Sequence, residues 1–433
     1  MKPDWLSDVP LSWKRAPFGS IFTQSKRKNM GLQRDFVLSV MKDRGVIPHT
    51  EKGNVGNKVS EDLSGYKLVD KGDFVLNSMN LYMGSVGVSA YSGVTSSAYI
   101  ICKPIDGILP KYYEYLIQFK GFQEYVGLLG KGIMEIREAV RWTSLKSVFV
   151  PIPDLNTQRA IADFLDRETA IIDLLIDKKQ RLITLLEEKF DAQLYYAISG
   201  GDSNITDYPH LSPSYWSRRS VRSITQSHKQ GYYTTEDYTT SGYRLIRITD
   251  IGKNGDIFSN KAPYVQDVDS AKPFLLKSGD FVFARTGGAG ALGVFMDESE
   301  KSVFASYLIR FRFMAICNPI FLKYFFLSRC FQDAVSRDLH GGVLQNLSAE
   351  NIKQQTIALP PMEEQVEIAD RLEQLAVRHE KTRGVITASL ERLREYRSAL
   401  ITAAVTGQID IAKRGKGATA YRQLDAIHAE FTQ

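Results

Sequence analysis

The chain contains two copies of one sequence unit. The segment Ile161-Ala162-Asp163-Phe164-Leu165-Asp166 returns as Ile368-Ala369-Asp370-Arg371-Leu372-Glu373, an offset of 207 residues between positions 161 and 368. The same offset relates Pro153 to Pro360, Gln158 to Gln365, Gly200 to Gly407, and the two Gly-Asp-Phe-Val runs at 72–75 and 279–282. A period this long exceeds the 20–50 residues typical of solenoid repeats, so it indicates a duplicated pair of domains.

Composition is that of an ordinary globular chain. Its 433 residues are 43% hydrophobic and 24% charged, enough for two to four domains. The net charge of +6 permits nucleic-acid binding without requiring it. Cys102, Cys317 and Cys330 form no C-x-x-C pair, which predicts a reducing compartment without a disulfide framework. Because there is no apolar run of about 18 residues, we expect a cytoplasmic protein that makes no use of a membrane.

Each copy begins with a mixed segment of strands and helices. Apolar runs bounded by Gly, Pro and Asp predict the strands. They are 36–40, 73–76, 86–91, 98–102 and 148–150 in the first copy, and 244–248, 280–285, 303–313 and 356–359 in the second. Helices are predicted at 110–129 and, with Asn318 as the cap and Pro319 in the first turn, from 319 to about 337.

A long helix follows each mixed segment. Residues 156–199 contain no proline or glycine, and their length predicts a rod of roughly 60 Å. Apolar residues recur with alternating spacings of four and three, as in a coiled coil. In the first helix they are Ile161, Leu165, Ile172, Leu175, Leu182 and Leu186, with Glu168 and Lys179 between them; in the second they are Ile368, Leu372, Leu375, Ile386, Leu393 and Leu400, with His379 and Thr382 between them. Gly200 and Gly407 are expected to end the helices.

A single apolar stripe on each long helix must be buried, and the simplest solution packs the two helices against each other. The sequence therefore predicts an α/β (α+β) fold with two similar domains separated by two long antiparallel coiled-coil helices, related by a pseudo-twofold axis. The predicted boundaries are a first domain at 1–153, a helix at 154–201, a second domain at 202–361, a helix at 362–410 and a tail at 411–433.

Two motifs imitate catalytic sites. Residues 288–293 match G-x-G-x-x-G, but a predicted strand follows and no acid lies about 20 residues on, so a flexible glycine loop is favoured over a dinucleotide site. Pro153-Asp154 with Glu187-Glu188-Lys189 imitates a nuclease motif, yet its acids would lie roughly 50 Å apart along one helix. We therefore interpret Asp154 as a helix cap and positions 187–189 as a solvated face. The sequence contains no P-loop, zinc-ligand set or G-x-S-x-G elbow, which favours a recognition or assembly role with no catalytic residue, metal site or cofactor of its own.

Together these features resemble one known family, the specificity subunit of type I restriction–modification systems. The resemblance rests on two segments, 148–165 and 357–372, in which a strand leads through prolines to Gln-x-x-Ile-Ala-Asp-x-Leu. The paired Gly-Asp-Phe-Val runs and the helices ending at Gly200 and Gly407 extend it over nearly the whole chain.

The resemblance implies a function in DNA recognition. Each target-recognition domain would read one half of a split double-stranded target, and the helix pair would set the distance between the halves. Two methyltransferase subunits would dock along the helices and methylate adenine with S-adenosylmethionine, and motor-nuclease subunits could join them. The chain itself would carry no catalytic site. The alternatives are a stand-alone nuclease or methyltransferase, and a DNA-binding scaffold or transcription regulator built on the same frame.

Candidate DNA contacts follow from chemistry, because Arg, Lys, Asn and Gln read base edges or hold phosphates, and loops on rigid scaffolds carry such residues. In the first domain the candidates are Asn77, Ser78, Asn80 and Tyr82, just past a strand end, and Lys131, Arg137 and Arg141, after the helix. In the second domain they are Arg285, Thr286, His340, Gln345 and Asn346.

A second apolar edge of the first long helix is a candidate surface for partner proteins. It consists of Phe164, Ile171, Leu174 and Leu185. Burial between the two long helices is the alternative, open above all for Leu174 and Leu185.

Overall fold

The structure is a computed structural model that describes residues 3–42, 44–53, 58–129, 139–200, 213–258, 262–285, 290–338, 346–409 and 411. The chain divides into two compact units. Unit 1 comprises the described residues within 1–179 and 388–433, and unit 2 comprises those within 180–387. Both long helices therefore contribute to both units. None of the described helices is long and apolar enough to cross a bilayer.

Unit 1 is a mixed domain followed by a long helix. Its elements are β1 (Lys14–Pro17), α1 (Phe18–Ile21), β2 (Phe22–Ser25), β3 (Leu38–Met41), β4 (Gly45–Pro48), β5 (Lys67–Val69), β6 (Phe74–Leu76), β7 (Val86–Val88), β8 (Gly93–Thr95), β9 (Ile100–Pro104), α2 (Pro110–Gln118), α3 (Lys120–Leu129), α4 (Trp142–Leu145), β10 (Phe149–Ile152) and α5 (Leu155–Ser199), whose residues from 180 onward lie in unit 2. Short 3-10 helices lie at Asp4–Asp8, His49–Lys52 and Leu81–Met83.

An antiparallel sheet with the strand order β2-β9-β6-β7 forms the centre of unit 1. In its register Phe74 lies opposite Cys102 and Val75 lies opposite Ile101. Because side chains alternate across a strand, Phe74 and Cys102 join the core beneath α2 and α3, whereas Val75 and Ile101 join a second apolar cluster. The strands β1 and β10 form a separate antiparallel pair just before α5.

Unit 2 repeats this plan. Its elements are β11 (Ser217–Ser220), α6 (Val221–Ile224), β12 (Thr225–Gln230), β13 (Tyr243–Ile246), β14 (Tyr264–Val265), β15 (Asp280–Ala284), β16 (Leu292–Phe295), β17 (Ser302–Phe304), β18 (Leu308–Phe313), α7 (Pro319–Leu327), α8 (Arg329–Asp338), α9 (Ala349–Lys353), β19 (Thr356–Leu359) and α10 (Met362–Val405), whose residues from 388 onward lie in unit 1. Short 3-10 helices lie at Ile248–Asp250 and Lys272–Phe274.

The central sheet of unit 2 has the equivalent order, β12-β18-β15-β16. Phe281 lies opposite Phe311, and Val282 lies opposite Arg310. Phe281 and Val282 on β15 correspond to Phe74 and Val75 on β6 at the 207-residue offset. A smaller sheet, β14-β13-β17, packs on its second face. The strands β11 and β19 pair just before α10, as β1 and β10 do before α5. The predicted duplication of a mixed α/β fold is confirmed.

Within each unit the two long helices run antiparallel. In unit 1, Ile161 and Leu165 near the start of α5 share a core with Leu400 and Ala404 near the end of α10. In unit 2, the end of α5 shares a core with the start of α10 through Leu194, Ile198, Ile368 and Leu372. One predicted seam position is wrong, because Leu182 is 49% exposed. An alternating pattern identifies an apolar stripe, but it does not specify how much of that stripe the neighbouring helix covers.

A buried glutamine joins each long helix to its mixed domain. The side chain of Gln158 accepts a hydrogen bond from the Leu109 amide (2.8 Å) and donates to the carbonyl oxygens of Pro153 (2.8 Å) and Gly107 (3.1 Å). Gln365 accepts from the Asn318 amide (2.7 Å) and donates to Pro360 (2.9 Å) and Ile316 (3.0 Å). These equivalent bonds satisfy backbone groups at the start of α2 and α7, and fix the direction in which each helix leaves its domain.

Three predicted elements are divided. The predicted helix 110–129 is interrupted at Phe119, whose backbone is extended between α2 and α3, and the predicted helix from 319 to about 337 is interrupted in the equivalent way at Ser328. The predicted strand 303–313 is two strands, β17 and β18, with a turn at 306–307 between them. Buried apolar side chains lie on both sides of each break, so the apolar pattern did not reveal them.

Candidate nucleic-acid interface

The two candidate segments of unit 1 meet at the end of the central sheet. Ser78 follows β6, and Val140 follows the segment that leaves α3. The Val140 amide donates a 3.0 Å hydrogen bond to the Ser78 carbonyl, and the Val140 side chain is buried in the main core. The loop after β6 and the segment before α4 therefore form one surface, although about sixty residues separate them.

The same arrangement recurs in unit 2 at the same offset. The Leu347 amide donates a 2.9 Å hydrogen bond to the Arg285 carbonyl, and the Leu347 side chain is fully buried. Positions 78 and 285, like positions 140 and 347, differ by the repeat distance. The structure thus brings together both candidate segments in each unit through a single conserved backbone contact of the duplicated frame.

Side-chain exposure separates the candidates of unit 1. Asn77 and Ser78 are buried: the Asn77 side chain accepts from the Met79 amide (3.2 Å), and the Ser78 hydroxyl donates to the Ala98 carbonyl (2.6 Å). These two side chains stabilise the loop from inside, and little of either is exposed. Asn80 and Arg141 are exposed and Tyr82 is half-buried, so these three remain candidate contacts.

Unit 2 presents Arg285, which is half-buried, and Asn346, which is exposed. Sequence reasoning missed Tyr307, which is 63% exposed and whose carbonyl accepts a hydrogen bond from the Arg285 amide (2.9 Å). Tyr307 lies in the turn between β17 and β18, so recognising that turn would have revealed an exposed aromatic ring beside the arginine. The candidates Lys131, Arg137, Thr286, His340 and Gln345 lie outside the described residues.

The basic run at 26–28 is partly neutralised. Arg27 pairs with Asp70, which also accepts hydrogen bonds from Arg34 (2.9 Å) and Lys103 (3.2 Å). Burial alone would raise the pKa of the Asp70 carboxyl, but the hydrogen bonds from Arg34, Arg27 and Lys103 bring that pKa down to about 2. Lys26 and Lys28 are exposed and leave a surplus of positive charge at this surface.

Neither the G-x-G-x-x-G match nor the nuclease-like motif has the geometry that its function requires. In the glycine-rich segment, the described part continues from Gly290 into the strand β16, so no helix N-terminus is presented to a phosphate there. Asp154 caps α5: its carboxylate accepts from the amide (3.0 Å) and hydroxyl (2.6 Å) of Thr157, and these hydrogen bonds lower its pKa. Positions 187–189 are exposed on α5. Among the described residues, no group of three His, Cys, Asp or Glu side chains is placed to hold a metal ion.

The proposed partner edge of α5 is only partly exposed. Leu174 is 38% exposed in unit 1 and Leu185 is 45% exposed in unit 2. Ile171 is half-buried. Phe164 belongs to the core of unit 1, where it packs with the end of α10, so its side chain does not contribute to the exposed edge. The burial of Phe164 follows from the width of the apolar stripe, which includes the positions beside the coiled-coil seam.

The sequence matches the type I restriction modification DNA specificity domain (Methylase_S) twice, over residues 12–184 and 213–391. These two matches cover most of the chain, one in each copy of the repeat. The chain belongs to this family of specificity proteins.

Curated relatives carry the same description. The type I restriction enzyme EcoKI specificity subunit of Escherichia coli (strain K12) is 24% identical over 290 residues, 65% of this chain and 61% of that subunit. The MjaVIII specificity subunit of Methanocaldococcus jannaschii is 21% identical over 389 residues, 85% of this chain and 87% of that subunit. The chain spans about three fifths of the length of the EcoKI and EcoBI subunits that it matches.

Solved structures share the fold. A chain from a study of complex assembly and conformational transition of the type I R-M system aligns with a TM-score of 0.67 at 13% identity, covering 93% of this chain and 99% of that one. The HsdS subunit from Thermoanaerobacter tengcongensis aligns with a TM-score of 0.52 at 14% identity, covering 93% of this chain and 98% of that subunit.

Proposed function

We propose that this chain is the non-catalytic DNA-recognition subunit of a type I restriction–modification complex, and that each unit reads one half of a split double-stranded target. The observation that carries the proposal is the repeated surface: in both units a loop after the third strand of the central sheet is held to a distant segment by the same backbone hydrogen bond. A frame that repeats while its surface residues differ is suited to reading two different sequences.

The exposed chemistry of these surfaces supports direct contact with DNA. Asn80 and Arg141 in unit 1, and Arg285 and Asn346 in unit 2, are the side-chain types that pair with base edges in the major groove. Tyr307 adds an exposed ring beside Arg285. Flanking lysines such as Lys26 and Lys28 would hold phosphates, which orient a protein on the duplex without reading its sequence.

The two long helices would set the distance between the half-sites and dock the enzymatic subunits. We place the recognition domains at 1–153 and 202–361, and the spacers at 154–201 and 362–410. Two methyltransferase subunits would bind along the spacers, where Leu174 and Leu185 leave apolar surface uncovered, and motor-nuclease subunits could join them. The methyltransferases would supply S-adenosylmethionine chemistry, so this chain would need no cofactor.

The experiment is a comparison of modified-base maps of DNA from cells with the gene, without it, and with it restored. Loss of adenine methylation at a two-part motif with a fixed gap, and its return on restoration, is the expected result. An unchanged map, together with a tagged chain that captures no methyltransferase subunit, would overturn the proposal and favour a scaffold or regulator.

A further inference from the structure

One buried arginine of unit 2 has an unsatisfied guanidinium nitrogen. Arg310 lies on β18 and is only 7% exposed, yet its Nε has no hydrogen-bond acceptor and no described carboxylate lies within ion-pair distance of its guanidinium. The neighbouring carboxylate, Asp280, is already occupied by both nitrogens that Arg312 offers, at 2.7 and 2.6 Å. Burying an unpaired charge is costly, and burial lowers the pKa of Arg310.

The duplicated frame does not require a cation at this position. In unit 1 the residue opposite Val75 is Ile101, fully buried in an apolar cluster, whereas in unit 2 the residue opposite Val282 is Arg310. The residue across the neighbouring strand also differs, because Ser25 faces Ile101. The same fold therefore forms with an aliphatic side chain at this position, so the fold alone does not explain why unit 2 has a buried arginine there.

A second cation lies directly beside the first. Lys229 on β12 is the cross-strand partner of Arg310, so the two side chains share one face of the sheet. The Lys229 Nζ lies 4.4 Å from the centre of the Phe274 ring, and the Arg310 Cζ lies 5.9 Å from the centre of the Phe304 ring. The rings stabilise both cations but bring no negative charge to offset their mutual repulsion.

The position of β12 gives this pair a route to the surface. β12 is the outermost strand of the central sheet, and Lys229 is half-buried on it. The flexible stem of a lysine can move, whereas the planar guanidinium of Arg310 is oriented for two parallel hydrogen bonds to an oxyanion. An anion that reaches the edge strand would supply an acceptor for the Arg310 Nε and a negative charge beside both cations.

We propose that Arg310 and Lys229 form a seat for one backbone phosphate of the DNA bound by unit 2. This inference rests on the proposed function, and it assigns to unit 2 a phosphate contact that unit 1, with Ile101 in the equivalent place, does not have. A free inorganic phosphate would offer the same chemistry, so the test separates the two sources.

The test uses the full chain assembled with its methyltransferase subunits and a duplex that carries the mapped target. In Arg310→Ile the position takes the residue found in unit 1, so folding should be retained and the Tm unchanged or raised. DNA affinity near 0.1 M salt should nevertheless fall on the order of 10-fold, and the slope of log affinity against log salt should shrink by about 0.9, the value for one lost phosphate contact. Lys229→Gln should reduce the slope in the same direction and serves if Arg310→Ile does not fold.

Arg329→Gln is the matched control, because Arg329 is an exposed cation of unit 2 on α8 that pairs with Asp333; its salt slope should equal that of the unmodified chain. Unchanged affinity and slope in both Arg310→Ile and Lys229→Gln would overturn the proposed phosphate site while leaving the proposed function intact.

Inorganic phosphate is titrated in parallel, and the Tm of the protein is measured at each phosphate concentration. A phosphate-dependent rise in Tm that Arg310→Ile abolishes, with DNA binding unaffected, would overturn the assignment to DNA in favour of a free anion. Absence of any DNA binding by the unmodified complex would instead refute the proposed function itself.

Discussion

The two units share one frame, but they differ on the second face of their central sheets. In unit 1 that face is apolar, with Ile101 among aliphatic side chains, and the nearby cations lie outside it around Asp70. In unit 2 the same face carries Arg310 and Lys229 between aromatic rings. The strand order and the attachment of the long helices are the same in both units. The frame thus preserves what orients the helices and loops, and tolerates large differences in the chemistry that surrounds them.

The largest expected effect comes from transferring the charge of unit 2 into unit 1. Ile101→Arg would place a cation in a cluster of aliphatic side chains against which one aromatic residue, Tyr99, is packed, and should lower the free energy of unfolding by about 3–5 kcal/mol. Urea unfolding monitored by circular dichroism measures this change. A loss below about 1 kcal/mol would mean that the fold tolerates a buried cation without a ligand. The presence of Arg310 in unit 2, where unit 1 has Ile101, would then no longer point to a function.

The two glutamines that join the long helices to the mixed domains should behave alike. Gln158→Ala and Gln365→Ala each remove the side-chain partner of one backbone amide and two carbonyls, of which the proline carbonyl is buried, so each should lower the free energy of unfolding by about 2–4 kcal/mol. Gln180→Ala, at an exposed position of α5, is the control and should change it by less than about 0.5 kcal/mol. Markedly unequal losses of unfolding free energy in the first two variants would show that the two junctions do not contribute equally to stability.

A pH dependence should distinguish unit 1. The folded-state pKa of Asp70, about 2, lies below its usual 3.8, so this carboxylate stabilises the fold above roughly pH 4 and loses that contribution as the pH falls toward 2. Because Asp70 lies near the surface, the contribution is discounted to about 1 kcal/mol. Asp70→Asn should remove it, so the urea midpoints of the two proteins should converge on acidification from pH 5. Parallel curves would show that the three cations do not stabilise the ionised form.

The smallest effect on stability is expected at the exposed leucines of α5. Leu174→Gln in unit 1 and Leu185→Gln in unit 2 should each change the free energy of unfolding by less than about 0.5 kcal/mol, because neither side chain is buried. Each should nevertheless reduce capture of methyltransferase subunits in affinity purification relative to Gln180→Ala. Full capture by both variants would place the docking surface elsewhere.

Sequence periodicity and the repeat were enough to predict the duplicated frame and the long helices, because Gly200, Gly407 and the absence of proline between 156 and 199 constrain the backbone directly. They were not enough to predict which side chains face solvent. Asn77 and Ser78 are residue types typical of binding loops, but their side chains form hydrogen bonds with backbone groups. Phe164 is a residue type typical of a docking surface, but it belongs to the core. Arg310 lies between two buried apolar residues, Ile309 and Phe311, so an alternating strand pattern would place its side chain on the opposite, exposed face; only the packing of the second sheet reveals that Arg310 is buried as well.

The central claim is that each unit reads one half of the target, and an exchange of recognition domains tests it most directly. Residues 1–153 are replaced by the corresponding domain of another family member with a known target, and adenine methylation is mapped by modified-base sequencing. One half of the two-part motif is expected to change while the other half and the gap are retained. A change in both halves, or in neither, would contradict the assignment of one half-site to each unit.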